Sequence, residues 1–200
     1  MILTVKPCPE NIKPMQNLDL DKYIGTWHEM YRSVDTPSEG GECHTVHYSK
    51  KVKDNSISAI IFDLFGTLGN QRVRKRVGKL HAASEHGGTY EGQMSINFTK
   101  EGSDKDISYM VIHTDYKTYS IEYQCAISLG FQRVEYIWIL TRVPTEQNSP
   151  LFIETENKVK DKMKDLFNTT SPGNEKYSDF KNYFESPDQG DDFCNYKKGW

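Results

Sequence analysis

The chain has 200 residues, a formal net charge of -3 at pH 7 and a hydrophobic content of 36%. This length can bury a substantial core in one domain. The charge gives no overall attraction to nucleic acid or to an anionic membrane. The sequence contains no run of about 18 apolar residues, the length that a membrane-spanning helix needs. Because hydrophobic residues are few while 12 Tyr and 9 Phe are present, short strands are favoured over a large helical core.

Four cysteines lie far apart in the sequence: Cys8, Cys43, Cys125 and Cys194. They form no C-x-x-C pair, so they indicate neither a zinc site nor a redox motif. An even number at such separations favours two long-range disulfides and an oxidising compartment. Glycosylation sequons at Asn97 and Asn168 agree with that compartment. We therefore expect a secreted, extracellular protein.

The first 24 residues contain three prolines and are predicted to be an irregular lead-in, with a short helical turn at Asp19–Tyr23. Strand-like runs follow, separated by clusters of Gly, Asp, Asn and Ser. The predicted strands are Gly25–Ser33, Cys43–Lys50, Ser56–Leu64, Gln71–Ala82, Tyr90–Phe98, Ile107–Thr114, Thr118–Ala126 and Arg133–Arg142. With no helix between them, they predict an antiparallel barrel or sandwich.

One amphipathic helix is predicted after the last strand, over Pro150–Phe167. Ser149 can cap it and Pro150 suits its first position. Apolar residues recur on one face at helical spacing: Phe152, Val159, Met163 and Leu166. Such a helix must pack on the outside of an eight-stranded sheet. The polar tail from Asn168 is expected to be held by Cys194.

Three short motifs occur in order along the chain. They are GTW with Gly25 and Trp27, TDY with Thr114, Asp115 and Tyr116, and Arg142 at the end of WILTR. This series resembles the lipocalin family, in which these are the three defining segments. HTDYKTYSIEYQC and EYIWILTR are similar to the apolipoprotein D and insect bilin-binding branch. The resemblance covers about Cys8 to Phe167. It implies an all-β fold, an eight-stranded antiparallel up-and-down β-barrel with one C-terminal α-helix packed outside.

The resemblance also implies the domain organisation and the disulfides. We expect one domain over residues 1–200, with a lead-in (1–24), a barrel (25–142), a helix (150–167) and a disulfide-tethered tail (168–200). The implied bridges are Cys8–Cys125 and Cys43–Cys194. Trp27 and Arg142 are expected to close the narrow end, the guanidinium on the indole contributing about 0.5–2 kcal/mol. Asp115 is expected to stabilise a turn.

Alternation from Trp27 and Arg142, together with the family resemblance, predicts which side chains face into the barrel. The predicted ligand-binding residues are Glu29, Tyr31, Tyr48, Arg74, Met94, Tyr109, Val111, His113, Gln124, Tyr136 and Trp138. Glu122 is also predicted to face inward, and Ile121 and Tyr123 to face the helix. The run RVRKRVGK is interpreted either as a solvated strand face or as a clamp for acidic groups.

Aromatic rings beside carboxylates favour a flat conjugated ligand with N–H donors, because a buried carboxylate needs a partner. A bilin such as biliverdin has such donors, and we expect its pyrrole N–H groups at Glu29 and its propionates near Arg74. Glu29 could equally be paired with water or with an arginine. Other cargoes are a retinoid, steroid, fatty acid or carotenoid, and a haem- or amine-binding role is a further alternative.

Catalysis and metal binding are not predicted. With both disulfides formed, no thiol would remain for the cysteine nucleophile of an enzymatic lipocalin, and no Ser–His–Asp or paired-carboxylate set is evident. The histidines show no ligand spacing, since His44 and His47 fall on opposite strand faces. The sequence therefore predicts a carrier of a small hydrophobic ligand, with no nucleic-acid partner and no stable membrane insertion. It does not predict the oligomeric state.

Overall fold

The computed structural model describes residues 7–34, 36, 41–51, 56–67, 70–82, 85–86, 89–98, 107–128, 132–170, 173–194 and 196. Its strands are β1 (Gly25–Ser33), β2 (Glu42–Lys50), β3 (Ile57–Thr67), β4 (Asn70–Ala82), β5 (Glu85–His86), β6 (Thr89–Tyr90), β7 (Gln93–Asn97), β8 (Ile107–Thr114), β9 (Tyr119–Ser128), β10 (Gln132–Thr141) and β11 (Phe184–Glu185). Its helices are α1 (Leu20–Tyr23), α2 (Pro150–Phe167), α3 (Phe180–Tyr183) and α4 (Asp191–Cys194), with a 3₁₀ turn at Glu175–Ser178.

Eight of these strands form a closed antiparallel barrel in the order β1-β2-β3-β4-β7-β8-β9-β10, and β10 pairs back onto β1. Each of these eight strands therefore pairs with two neighbours within the described residues, which closes the ring. The eight-stranded barrel with a C-terminal helix packed outside is therefore confirmed. Residues 1–6 of the predicted lead-in and 197–200 of the predicted tail lie outside the described residues.

The predicted fifth strand is divided in two. Its start, β6, forms a small hairpin with β5, while β7 joins the barrel. The division occurs at Gly92, whose N–H donates to the carbonyl of Met15 and whose carbonyl accepts from the N–H of Val111, both at 2.7 Å. A Cβ at Gly92 would lie 2.2 Å from the Val111 carbonyl oxygen and 2.9 Å from the Met15 nitrogen, so only glycine allows both β8 and the lead-in to approach this closely.

Helix α2 occupies the predicted range. The Ser149 hydroxyl accepts from the N–H of Phe152 at 3.2 Å, and Asn168 ends the helix in the left-handed region. Its buried face is Phe152, Thr155, Val159, Met163 and Phe167. That face packs against the outward residues of β9 and β10, including Ile121, Tyr123, Ile137 and Ile139. No helix in the described part of the chain is long and apolar enough to cross a membrane.

The tail packs against the barrel much more extensively than the sequence indicated. Tyr177, Phe180 and Phe184 are buried in the same outer core as α2. β11 pairs with the end of β1, with Glu185 opposite Arg32. The structure also contains the two disulfides Cys8–Cys125 and Cys43–Cys194, the pairing that the family resemblance implies. In the chain-entropy model each long loop closed in this way stabilises the fold by about 4–5 kcal/mol.

Candidate functional site

A cavity lies inside the barrel, with a volume of about 70 Å³. Its aromatic lining residues are Tyr48, Phe98, Tyr109 and Trp138. Its ionisable lining residues, apart from the tyrosines, are His44, Arg76 and Glu122. The remaining lining is aliphatic and includes Val46, Ile61, Ile96 and Leu140. The wall is therefore mainly apolar with a few charged groups, as in most small-molecule sites.

A hydrogen bond spans the barrel interior at the cavity. Tyr48 lies on β2 and Tyr109 on β8, on opposite sides of the ring, and their hydroxyl oxygens are 2.8 Å apart. Both side chains are buried, and the Tyr109 hydroxyl also lies 3.7 Å from the sulfur of Met94. Burial raises the pKa of both tyrosines well above 10, so both hydroxyls stay protonated.

The closed end of the barrel lies below these tyrosines. Tyr23 of α1 donates to Glu122 at 2.6 Å, and the indole N–H of Trp27 donates to the carbonyl of Tyr23 at 2.9 Å. The guanidinium carbon of Arg142 lies 3.6 Å from the centre of the Trp27 ring. Gly25 has a φ of +110°, and a Cβ there would approach Arg142 Nη1 to 3.1 Å. Trp27 and Arg142 thus lie at the closed end, outside the cavity lining that the described residues form.

A set of charged side chains lies along the barrel wall, and two of its members, His44 and Arg76, also line the cavity. We call it the inner ionic cluster: Glu29, Arg32, His44, Asp63, Arg74 and Arg76. Arg32 Nη1 is 3.1 Å from Glu29 Oε1, and His44 Nε2 is 3.7 Å from Glu29 Oε2. The other ring nitrogen of His44 bonds to Asp63. One imidazole therefore connects two buried carboxylates.

Asp63 is the centre of the arginine side of this cluster. Its Oδ2 is 3.0 Å from Arg74 and 3.4 Å from Arg76. Burial alone would raise the pKa of Asp63, but the hydrogen bond from His44 and the charges of His44, Arg76 and Arg74 outweigh it and lower the pKa to about 2. Asp63 is therefore ionised at neutral pH and holds two arginines on the inner wall.

Glu29 faces inward as predicted, but its surroundings differ from the predicted ligand contact. Its carboxylate is paired with Arg32 and His44, which corresponds to the arginine-paired alternative. Glu29 is absent from the cavity lining that the described residues form, whereas Glu122 is part of it. Of these two carboxylates, Glu122 is therefore the one on the cavity wall, where it also accepts from the Tyr23 hydroxyl at 2.6 Å.

Tyr31 was predicted to face the cavity, and this prediction is wrong. The pairing of β1 with β10 shifts register between Glu29 and Tyr31, which is a β-bulge at Met30. The extra residue reverses the inward alternation, so Tyr31 lies outside the barrel. Its ring centre is 5.5 Å from that of Phe152, and its hydroxyl donates to Glu156 of α2 at 2.7 Å.

His113 was also predicted to face inward, and it too lies outside. β8 shifts register against β9 between Val111 and His113, so His113 pairs with Ile121. Ile121 packs in the outer core beneath α2, and the His113 ring centre is 5.6 Å from that of Tyr119. Burial and the nearby charge of Lys162 on α2 lower the pKa of His113. His113 cannot ligate a haem inside the barrel from this position.

The other predicted ligand-binding residues lie on the predicted side of the wall, although their role stays a prediction. Tyr48, Met94, Tyr109, Val111 and Trp138 belong to the core inside the barrel. Tyr136 pairs with Gln124 across β9 and β10, and both are half-buried. Arg74 faces Asp63 with 39% of its side chain exposed.

Nine of the twelve lining residues were absent from the predicted ligand-binding set, among them the three polar or aromatic residues His44, Phe98 and Arg76 as well as Glu122. Period-two alternation from Val46 places His44 inward, and the same alternation from Ile96 places Phe98 inward. Arg76 follows Arg74 by two residues on β4. The alternation pattern thus indicated His44, Phe98 and Arg76. Within the inner ionic cluster, Arg32 faces inward only because of the bulge at Met30.

The two sequons differ in their surroundings. Asn97 is half-buried on β7, and its sequon residue Thr99 lies outside the described residues. Asn168 is exposed at the end of α2, and its side-chain oxygen accepts from the Thr170 hydroxyl at 3.1 Å. Among the described residues, no group of three or more His, Cys, Asp or Glu could hold a metal ion.

A closed barrel with an internal cavity lined by aromatic residues is typical of β-barrel proteins that bind small ligands, and the chain has this architecture. The family model described as a lipocalin-like domain matches residues 18–165. The chain therefore belongs to the lipocalin family, whose members are typically binding or carrier proteins.

Curated relatives include apolipoprotein D of Cavia porcellus, 29% identical over 138 residues and 68% of this chain, and insecticyanin-A of Manduca sexta, 27% identical over 118 residues and 59% of this chain. The chain spans less than two thirds of these relatives, 66% and 59% of their lengths. The solved structure of Manduca sexta insecticyanin is 22% identical with a TM-score of 0.68, covering 96% of this chain and 90% of that one. Lobster apocrustacyanin A1 is 18% identical with a TM-score of 0.57, covering 96% and 98%. These structures show the fold.

Proposed function

We propose that this chain is a secreted carrier that binds one molecule of a bilin, such as biliverdin, in its barrel cavity. The observation that carries the proposal is the combination of Tyr48, Tyr109 and Trp138 with the carboxylate of Glu122 in one cavity wall. Aromatic rings stack on a flat conjugated system, and a carboxylate accepts from pyrrole N–H groups. A charge-assisted hydrogen bond of this kind is strengthened where water is excluded.

The arginines of β4 support the same cargo. Arg76 lines the cavity, and Arg74 lies two residues further toward the β3–β4 turn with a partly exposed side chain. Both are held on the inner wall by Asp63. A bilin carries two propionates, and a guanidinium binds a carboxylate through two parallel N–H groups. The clamp interpretation of the RVRKRVGK run therefore applies to its inward face.

The cavity volume sets a condition on binding. At about 70 Å³ the cavity is smaller than the roughly 300–1,000 Å³ typical of ligand pockets. A tetrapyrrole can enter only if inward side chains change rotamer. The bond between Tyr48 and Tyr109 crosses the space that the ligand needs, so we expect it to break on binding. Association should therefore include a slow conformational step.

Secretion is supported by the two long-range disulfides, because such bonds persist in oxidising compartments. The likeness to insecticyanin and apolipoprotein D supports a carrier within that setting. A pigment or sequestering role fits a bilin cargo. We propose no catalytic activity.

A second candidate is a slimmer apolar cargo with one acidic group, such as a retinoid acid or a fatty acid. The small cavity favours it, because less rearrangement is needed. Arg76 would bind the single carboxylate, and Glu122 would then face an apolar chain. That burial of a carboxylate against hydrocarbon is unfavourable, which is why the bilin is preferred.

Titration of biliverdin and retinoic acid into the purified protein tests the choice, followed by absorption and by tryptophan fluorescence. We expect one-to-one biliverdin binding with a shifted visible band. Glu122→Gln should weaken binding by about ten- to hundredfold, since a hydrogen bond to a charged group contributes about 1.5–3 kcal/mol. Glu29→Gln is the control, expected to lower stability while leaving affinity nearly unchanged. Binding of retinoic acid alone would replace the bilin by the second candidate.

A further inference from the structure

Strand β4 presents two different faces. Arg74 and Arg76 point inward to Asp63, whereas Val73, Lys75 and Val77 point outward. Val73 is 50% exposed and Val77 is 41% exposed, and Lys75 is exposed between them. The outward half of the RVRKRVGK run therefore has no part in the cavity.

The outward face of β3 continues this surface. Phe62 pairs with Lys75, and Ile60 pairs with Val77, across the two strands. The Lys75 ammonium lies 5.3 Å from the centre of the Phe62 ring. We define the outer β3–β4 strip by its residues: Ile60, Phe62, Val73, Lys75, Val77 and Lys79.

The strip ends where the tail covers the sheet. Leu64, two residues beyond Phe62, is buried with Cys43 and Cys194, and Phe193 packs against them. The neighbouring apolar positions on the same face are thus covered by the chain itself, while Val73 and Val77 remain exposed. The strip is a bounded apolar area beside a covered one.

The charge of the strip is opposite to that of the chain. The chain has a formal net charge of -3, yet the strip contains Lys75 and Lys79 and no carboxylate. Asp63 lies on the same hairpin but is buried on the inner face with Arg74 and Arg76. A partner that complements the strip must therefore combine negative charge with a place for short apolar side chains.

We propose that the outer β3–β4 strip associates reversibly with a membrane surface that carries anionic phospholipid. Lysines are attracted to anionic headgroups, and valines and Phe62 can enter the boundary of the acyl region. A folded protein partner would need matching pockets for two valines on a convex barrel wall, whereas a fluid lipid surface adapts to them. The association rests on the strip alone and does not depend on the proposed cargo.

Cosedimentation with vesicles tests the proposal on the full chain. We expect binding to phosphatidylcholine vesicles containing 30% phosphatidylserine, in 50 mM salt, and little binding to pure phosphatidylcholine; these conditions place the Debye length at about 14 Å. Raising the salt to 300 mM should release the protein, because exposed charges are screened. The double variant Lys75→Gln/Lys79→Gln should partition about 25-fold less, at about fivefold per lysine.

Matched controls separate the strip from general charge and hydrophobicity. Lys117→Gln/Lys181→Gln changes the net charge equally at exposed lysines elsewhere and should leave partitioning unchanged. Val73→Thr/Val77→Thr keeps shape and strand propensity and should reduce partitioning several-fold, whereas Val143→Thr, at a valine 49% exposed elsewhere, should not. Circular dichroism checks that each variant is folded. Absence of binding at low salt, equal loss in the controls, or binding to soluble polyglutamate but not to vesicles would overturn the proposal.

Discussion

The guanidinium carbon of Arg142 lies over the Trp27 ring, 3.6 Å from its centre, and the guanidinium donates to five backbone carbonyls at the closed end of the barrel. Those carbonyls belong to the α1 segment, the start of β1 and the turn after β8. One side chain thus holds three separate parts of the chain together. The pair has a structural role at the end opposite the ionic cluster.

Replacing either member should reduce stability without changing ligand selectivity. Trp27→Ala removes a fully buried large aromatic residue and should lower the free energy of unfolding by about 3–5 kcal/mol. Arg142→Lys cannot satisfy the same set of carbonyls and should lower it by about 1–3 kcal/mol. Urea denaturation measures both changes. Normal stability combined with lost ligand binding would show that the pair belongs to the binding site.

The second prediction tests the outward position of Tyr31, which follows from the bulge at Met30. Tyr31→Phe removes the hydrogen bond to Glu156 and should lower stability by about 0.5–1.5 kcal/mol, with ligand affinity unchanged. Tyr109→Phe is the comparison, because it removes a hydroxyl that faces the cavity. Isothermal titration with biliverdin measures the affinity of both variants, and only Tyr109→Phe is expected to change it. An equal loss of affinity in both variants would contradict the outward position of Tyr31.

Acid should destabilise the protein through His28 before it affects Asp63. Burial lowers the pKa of His28 from 6.5 to about 4, so the unfolded chain binds a proton more strongly than the folded one. The contribution of neutral His28 to the free energy of unfolding is fully present above pH 6.5 and is lost as the pH falls toward 4. The loss amounts to about 3 kcal/mol, and the contribution of Asp63 is lost only between about pH 4 and 2.

His28→Gln checks this pH dependence. The Thr45 hydroxyl lies 3.3 Å from His28 Nδ1, and the ring of Tyr196 from the tail covers it at 5.0 Å. The unfolding free energy of the variant should fall much less between pH 7 and 5 than that of the parent. His81→Gln, which removes an exposed histidine, serves as the comparison. A parallel fall in the parent and in His28→Gln would exclude His28 as the cause.

Glu135 should be the main polar anchor of the tail. It accepts from Tyr177 at 2.6 Å, Tyr123 at 2.7 Å and Lys176 at 2.9 Å. Burial alone would raise the pKa of Glu135, but these three hydrogen bonds lower it and keep the carboxylate ionised. Glu135→Gln should cost about 1.5–3 kcal/mol and expose residues 173–185 to limited proteolysis.

The exposed Glu154 of α2, which pairs with Lys158, provides the control for that variant. Glu154→Gln should change stability by no more than about 0.5 kcal/mol, because it affects only an exposed helical ion pair. If the tail of Glu135→Gln resisted protease as well as that of Glu154→Gln, the disulfide and the apolar contacts alone would hold it.

Periodic patterns predicted a barrel or sandwich and the range of α2, because they report which face of an element is buried. The resemblance to the lipocalin family implied the barrel and, together with period-two alternation, most of the inner wall. It misplaced Tyr31 and His113 for one reason. A β-bulge inserts one residue without changing composition or spacing, so alternation carried past Met30 or Ile112 assigns the wrong face.

The pairing of Glu29 and the packing of the tail could not be predicted either. The packing of the tail depends on contacts between distant parts of the chain. Arg32 turns inward to pair with Glu29 only because of the bulge, and two partners of Glu135, Lys176 and Tyr177, lie more than forty residues away in a segment that has a polar sequence. Period-based patterns contain no information about such pairs.

The order of the cysteines affects how the protein can be synthesised. Cys43 pairs with a residue that follows it by 151 positions, which at about 5–20 residues per second is synthesised roughly 8–30 s later. During that interval the first thiols to meet are those of Cys8 and Cys43, which are not partners in the folded barrel. A bridge formed early between them must be exchanged before β9 and the tail can be joined. A host compartment with a disulfide isomerase therefore suits this chain better than one that only oxidises thiols.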